Sequence, residues 1–388
     1  MITSKKSVLI ALVPLLFLVF EACTKKTGGA GNAVVGDEIL LGEYGSMTGA
    51  ESTFGVATDK GIKMALVEAN EKGGVKGKQL RVIAYDDQGK ADEAVTTITK
   101  LITQDKVVMV LGEVASSRSI AAGAVAQRYK IPMVSPSSTN PKVTELGDYI
   151  FRVCFIDPFQ GSVMAKFAVN DLKFKTAAIF RDIKSDYSVG LANFFAEEFK
   201  KLGGQIIADV AYSSGDLDFK SQLTNIKDKK PDALFVPGYY TEVGLIARQA
   251  RELKLKAVLL GGDGWDSEKL TEIGGKAIEG GYFSNHYSPE DQNPVVQNFV
   301  KKYKAKFGEV PNGLAAMGYD AALVSIDAMT RAKELTPEAI RDALAQTKDF
   351  QGVTGVITIN EQRNAVKPAV VLKVTGPQQF KYVATINP

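Results

Sequence analysis

Histidine and cysteine are nearly missing from this chain: one His and two Cys in 388 residues. With His286 alone between Asn285 and Tyr287, and Cys154 isolated in a Phe-Arg-Val-Cys-Phe run, no zinc site can assemble and no metal or other cofactor is expected. His286 reads as a loop residue and Cys154 as a small buried apolar one. Also missing are a Gly-x-Ser-x-Gly elbow, a Walker Gly-Lys-Ser/Thr and a His-Glu-x-x-His pair, so the common hydrolase, nucleotide and metalloprotease motifs are out. Gly45-Ser-Met-Thr-Gly49 follows the first strand, where a dinucleotide loop would lie, but lacks that glycine spacing. Asp86-Asp87 could be a carboxylate pair, but neighbouring strand residues point to opposite faces, so they read as turn and cap residues. The net charge of +3 is mild, and no basic patch interleaved with aromatics appears, so no nucleic-acid partner is expected.

Long apolar runs are lacking too. Only Val8 to Phe20 is continuously apolar, broken by Pro14, and it is shorter than the ~20 residues of an ordinary membrane span. Behind Lys5 and Lys6 it reads as the core of a signal peptide over residues 1–22. Ala22 before Cys23 then resembles a bacterial lipoprotein cleavage site, with Cys23 the lipid-bearing new N-terminus. Phe20 and Glu21 depart from the usual small or aliphatic residues there, which leaves plain secretion as the alternative. With Cys23 lipidated, Cys154 has no partner for an internal disulfide. Residues 23–36, rich in Gly, Lys and Ala without periodicity, read as a tether.

What is present is alternation. Ile39–Gly45, Leu80–Tyr85, Val107–Leu111 and Ile131–Val134 read as buried strands, separated by helices over about 54–72, 91–103 and to Gln127. The pattern restarts after Pro158. Strands are expected at Thr176–Phe180, Ile206–Tyr212, Ala233–Val236 and Val258–Leu260, with helices between, one carrying Leu191, Phe194, Phe195, Phe199 and Leu202 on one face. Such alternation predicts an α/β fold of two doubly wound lobes with parallel central sheets. Late helices, including Leu314–Ala332 and Pro337–Gln346, cover sheets already made. Val353–Ile359 and Ala369–Val374 read as strands, and Phe380–Ile386 as an antiparallel edge on its predecessor.

Two neighbouring strands end in hydroxyls. Val107–Leu111 leads to Ala115-Ser116-Ser117 at a helix start, and Ile131–Val134 leads to Ser135, Ser137, Ser138 and Thr139. Ligands in open α/β sheets sit at that edge, and hydroxyls beside helix N–H groups suit an anion. Each loop alone could be an N-cap or a turn. Asp263, at another strand end among glycines that let backbone approach a ligand, suits a cation, and Phe54, Tyr187, Tyr239 and Tyr240 suit an apolar body. Together these describe a site for a zwitterionic amino acid with a hydrophobic side chain, and a binding protein rather than an enzyme.

Several segments resemble the leucine/isoleucine/valine-binding family, the substrate-binding proteins of branched-chain amino-acid ABC transporters. They are Gly45-Ser-Met-Thr-Gly49, Asn70-Glu-Lys-Gly-Gly-Val-Lys-Gly77, Tyr85-Asp-Asp87, Ser135-Pro-Ser-Ser-Thr-Asn-Pro141 and Gly238-Tyr-Tyr240, and the likeness runs from Glu38 to the C-terminus. The resemblance implies the type I periplasmic-binding fold, with three crossovers near Ile156, His286 and Val366. One lobe is then 37–156 plus 287–365, the other 157–286 plus 366–388. It also implies an amino-acid ligand, an ABC permease as partner, and a periplasmic or cell-surface location, membrane-anchored through lipid on Cys23. By motif, Ser116 and Thr139 would hold the ligand carboxylate with backbone help around Ser137 and Ser138. Asp263 would meet the ammonium with one of Tyr239 and Tyr240, Tyr239 being preferred, and Phe54, Tyr187 and, from a late helix, Tyr319 would wall the pocket. Some members carry a disulfide where Gly89 and Ala115 stand here, so that bridge is absent. Asp263 is shorter than the glutamate of some members, which bears on side-chain selectivity. The same fold binding another small amide or organic acid, and a secreted α/β enzyme, are the competing expectations.

Overall fold

Apolar strands too hydrophobic to face water need helices on both sides, and the chain supplies them almost strictly in turn. The computed structural model describes residues 1–2 and 34–388. The apolar leader, Cys23 and the tether as far as residue 33 lie outside the described residues. The elements of the first lobe are β1 (Val34–Val35), β2 (Glu38–Gly45), α1 (Ser52–Glu71), β3 (Gln79–Asp86), α2 (Ala91–Thr103), β4 (Met109–Leu111), α3 (Ser116–Tyr129), β5 (Met133–Ser135), α4 (Lys142–Glu145) and β6 (Ile150–Arg152). Strands β3-β2-β4-β5-β6 form one parallel sheet. The end of the expected tether corrects itself: Val34 and Val35 pair antiparallel with Ile39 and Glu38 as β1.

The second lobe begins with α5 (Asp157–Lys166), β7 (Thr176–Asp182), α6 (Asp186–Lys201), β8 (Gln205–Tyr212), α7 (Lys220–Lys229), β9 (Ala233–Phe235), α8 (Tyr240–Glu252), β10 (Val258–Gly261), α9 (Glu268–Gly274) and β11 (Tyr282–Asn285). The chain then returns through α10 (Pro294–Phe307), α11 (Gly313–Arg331), α12 (Pro337–Ala345), β12 (Phe350–Gly352), β13 (Gly355–Ile359) and β14 (Ala365–Val366), and ends with β15 (Ala369–Gly376) and β16 (Gln379–Ile386). The second sheet runs β16-β15-β11-β10-β9-β7-β8. It is parallel from β8 to β11 and antiparallel at β11/β15 and β15/β16, so the expected C-terminal hairpin edge is there.

The returning helices dock on the first lobe. Helices α1 and α11 touch backbone to backbone: a Cβ on Gly61 would lie 2.1 Å from the Ala315 carbonyl oxygen, and one on Gly318 2.4 Å from that of Thr58. Between β6 and α5, after β11, and between β14 and β15 the chain therefore passes from one lobe to the other three times.

Three differences from the sequence expectation have local causes. Strands β6 and β11 were not anticipated, being only three and four residues long and interrupted by polar residues, Arg152 in one and Ser284 and Asn285 in the other. The expected strand 353–359 begins only at Gly355, because Asp320 gathers the preceding turn. Its carboxylate accepts the Val353 and Thr354 N–H groups, both at 2.8 Å, and the Thr354 hydroxyl at 2.6 Å. The resulting β12-β13-β14 sheet stands apart from the two large ones. Cys154 is fully buried, as expected, and burial pushes its thiol up to about 12. Among the described residues no helix is long and apolar enough to cross a membrane.

Candidate functional site

Both parallel sheets end toward a common seam, and there one cavity is enclosed by Phe54, Val114, Ser137, Tyr187, Tyr239, Asp263, Gly264 and Leu314. Four of these come from the first lobe and its returning helix α11, and four from the second. The enclosed space is small, ≈ 10 Å³ for the centre of a water-sized sphere. Phe54, near the start of α1, meets the Tyr239 ring edge-on, with centroids 5.5 Å apart. Tyr239 in turn stacks on Tyr187 at 5.3 Å, with planes 4° apart. Three rings thus form one apolar wall whose phenolic hydroxyls come from the second lobe. Burial raises both tyrosine pKa values, with Asp263 the next contribution at Tyr187 and Glu51 at Tyr239, so both stay neutral donors.

Asp263 is the only carboxylate lining the cavity. It sits in the short turn after β10, and its oxygens are shared out. Gln160 Nε2 donates to Oδ1 at 2.7 Å, Ser137 Oγ to Oδ2 at 3.3 Å, and His286 Nε2 lies 3.0 Å from Oδ2. Burial alone would raise the Asp263 pKa; the hydrogen bond and charge attraction of His286, with the hydrogen bonds from Gln160 and Tyr187, outweigh it, and the net direction is down. Asp263 is therefore an anion in a dry place. The glycines around it do a different task from the one expected. A Cβ on Gly262 would lie 2.5 Å from the Tyr187 hydroxyl, and one on Gly264 2.7 Å from the Gly238 carbonyl oxygen, so they admit the protein's own groups.

The hydroxyl loops of the first lobe separate into two kinds. Ser137 faces the cavity. Ser138 turns the other way, its Oγ lying 2.8 and 2.9 Å from the Glu113 and Val114 carbonyl oxygens, which share its one proton, and 2.7 Å from Ser119 Oγ. Its side chain thus holds two loops together and does not face the cavity. Ser116 Oγ accepts the Asn140 N–H at 3.1 Å, tying the same loops at the first turn of α3, which has no side-chain cap. Thr139 is buried with its hydroxyl unpartnered, next to the Asp157 carboxyl at the start of α5. Burial, chiefly, raises the Asp157 pKa well above the usual range, against a lowering contribution from the Thr139 hydroxyl.

Tyr319 is elsewhere: its hydroxyl donates to Glu68 at 2.9 Å and its ring packs 4.9 Å from Phe299, on the α1–α11 seam inside one lobe. Tyr240, the alternative to Tyr239, lies at the rim, its hydroxyl accepting the Thr53 N–H at 3.3 Å. Asp86 and Asp87 are turn residues. Asp86 accepts the Met47 N–H at 2.9 Å, and Asp87 the Gly89 N–H at 2.9 Å.

Sequence reasoning missed His286. It does lie in a bend after β11, as a loop residue should, but it is buried and reaches Asp263. Its ring stacks on Phe155 at 3.8 Å, so two of the three interlobe passages touch through these rings. No periodicity could have revealed this, because the contact joins positions far apart in the chain.

The lobes are also pinned at the rim. Ser117 Oγ donates to Asp186 Oδ2 at 3.0 Å and accepts the Asp186 N–H at 2.9 Å, while Asn140 donates to the Asp186 carbonyl at 2.7 Å. On the opposite side Thr241 donates to the Ala50 carbonyl at 2.7 Å, and Asp266 accepts the Gly313 N–H at 2.6 Å.

A family model described as periplasmic binding protein matches residues 38–379. A leucine-, isoleucine-, valine-, threonine- and alanine-binding protein of Pseudomonas aeruginosa is 30% identical over 337 residues, covering 86% of this chain and 89% of that one. Among solved structures, a leucine-binding protein of Thermotoga maritima superimposes with a TM-score of 0.87 at 42% identity, over 90% of this chain and 99% of the other. A branched-chain amino-acid transporter substrate-binding protein of Streptococcus pneumoniae, in complex with isoleucine, gives 0.85 at 34% identity, over 90% and 100%.

Proposed function

This chain belongs to the periplasmic binding protein family, and on that premise we propose that it captures a branched-chain aliphatic amino acid and delivers it to an ABC permease. The observation that carries the reading is the composition of one cavity: a single buried anion, an aromatic wall and the Ser137 hydroxyl, drawn from both lobes. Asp263 takes the ammonium, with Tyr239 assisting. Ser137, the uncapped start of α3 at Ser116 and the unpartnered Thr139 hydroxyl take the carboxylate. Phe54, Tyr187 and Leu314 enclose the side chain.

Binding, not turnover, is the chemistry. The cavity's walls must separate to admit an amino acid, and the three interlobe passages are the natural hinges. The moving bodies are 37–156 with 287–365, and 157–286 with 366–388. A ligand touching both bodies favours the closed form only by contacts the open form lacks. A micromolar dissociation constant corresponds to about −8 kcal/mol, within reach of a paired, buried zwitterion. The protein acts outside the cytoplasm, anchored through lipid on Cys23; replacing Cys23 with Ser should move it from the membrane fraction to the soluble one.

Calorimetric titration of the refolded mature protein with a panel of amino acids tests the ligand. One-to-one binding of leucine, isoleucine or valine is expected, followed in parallel by fluorescence of Trp265, the single tryptophan, which is fully buried two residues from Asp263. No binding across the aliphatic panel would overturn the assignment.

A further inference from the structure

The single histidine of the chain is placed where a proton would matter. His286 Nε2 is 3.0 Å from Asp263 Oδ2 and 3.3 Å from Ser137 Oγ, whereas Nδ1 is buried and has no hydrogen-bond partner. A hydrogen on Nδ1 would be a buried donor without an acceptor, which is costly; a bare lone pair there costs less. The geometry thus selects the neutral ring with its proton on Nε2, donated to Asp263. In that form His286 fixes the carboxylate's direction and leaves its charge for another cation. A second proton would turn the neighbour of Asp263 into a rival cation, already in place.

We propose that His286 is a positioning residue that makes ligand capture pH-dependent: neutral, it aims Asp263 at the ligand's ammonium; protonated, it competes for that carboxylate. The inference rests on the amino-acid reading of the cavity. The charged and titratable groups around the ring are few. Asp263 faces it from the turn after β10. Lys367, from the third interlobe passage, acts on it as a like charge and is itself held by Thr354 and near Asp320. Asp157, at the start of α5, faces Asp263 rather than the ring. Phe155 covers one face of the imidazole. Burial, first, and Lys367 lower the His286 pKa, while Asp263 raises it, and the net direction is down. When the lobes part and water reaches the ring, the burial contribution shrinks and protonation becomes easier. The proton is then taken up by the open, ligand-free form and released on closure.

The sign follows directly. If only the neutral form binds, affinity is constant above the open form's His286 pKa and falls about tenfold per pH unit below it. Untagged protein is titrated with leucine from pH 5 to pH 8.5, alongside His286→Gln, which keeps a side-chain N–H donor but does not titrate. The wild type should lose affinity toward acid while the Gln variant stays flat within about threefold over the same range. Leucine binding with the same pH profile in both proteins would overturn the inference and leave the function standing; no binding of leucine, isoleucine or valine at any pH would sink both. Because the chain has one histidine, the wild type also reports by itself, whether or not the variant folds. Its imidazole nitrogen resonances should show the Nε2–H tautomer near pH 8 and a midpoint that moves to lower pH on adding leucine. A midpoint that leucine leaves in place would refute the coupling.

Discussion

The two lobes bring their strand ends to the same seam and use them differently. On the first lobe the rim is rich in hydroxyls, and most of them serve the protein: Ser138 and Ser116 bond neighbouring loops, and only Ser137 lines the cavity. On the second lobe the rim is large and aromatic, and Tyr187, Tyr239 and Asp263 all reach inward. The first lobe is thus built as a braced platform and the second as the side that grips. Bracing is needed because the loops after β4 and β5 carry buried backbone carbonyls that must find donors.

The contrast can be broken first at Asp263. Removing it as Asp263→Ala leaves the ligand's ammonium unmatched in a dry cavity and should cost roughly 3–5 kcal/mol of binding, read by calorimetry; a loss under about tenfold, or ~1.4 kcal/mol, would take Asp263 out of the gripping role. Next comes the brace. Ser138→Ala removes the one hydroxyl proton that the Glu113 and Val114 carbonyls share, together with the contact to Ser119 Oγ, and should lower the unfolding free energy by about 1–3 kcal/mol in denaturant titrations, with ligand affinity nearly unchanged. If affinity fell and stability did not, the division between platform and grip would be wrong.

The platform also holds a proton. Burial, followed by the nearby Glu113 charge, pushes Asp87 up to about 8, and Arg118 only partly opposes this. A carboxyl whose folded pKa lies above its unfolded one binds a proton in the native state that the unfolded chain releases. Stability should therefore be lost as pH rises from about 4 toward about 8. Asp87→Asn should flatten that slope in thermal melts and leave the protein more stable than wild type at pH 8; a slope unchanged by the substitution would dismiss Asp87 as its source.

Asp186 sharpens the comparison where the lobes meet. Asp186→Ala removes the bond from the Ser117 hydroxyl to its carboxylate and leaves the two backbone contacts of residue 186 in place. It should weaken affinity by roughly 0.5–1.5 kcal/mol through the closed population alone, with faster ligand release in stopped-flow fluorescence. Smallest of all is Tyr319→Phe, which should leave affinity unchanged and reduce stability by no more than ~1 kcal/mol. Any clear loss of ligand affinity would return Tyr319 to the cavity wall.

How much of this was legible depends on the length scale of the signal. Long periodic segments such as α1 and α2 could be read, because burying one helical face imposes a spacing that neighbours in sequence share. The short strands β6 and β11 could not, since three or four residues that include one or two polar ones fit several structures. At the site, Asp263, Ser137, Tyr187, Tyr239 and Phe54 were picked by residue type and strand-end position, and all five line one cavity. Tyr319 was carried over from a late helix by the family resemblance, and it sits on a helix seam instead. Residue type tells what a side chain can do, whereas its direction is set by what packs behind it.

By itself, then, the sequence determined the alternation of strands and helices, the two parallel sheets with their strand ends available for a site, and the chemical kinds of group that could gather there, since these follow from local burial and backbone rules. Only the tertiary structure decided which hydroxyl faces the cavity and which faces a carbonyl, and that a lone loop histidine comes to rest between Phe155 and Asp263. Those outcomes depend on contacts between residues distant in the chain, from 19 positions for Ser119 and Ser138 to well over a hundred for Phe155 and His286, which packing creates and no local pattern encodes.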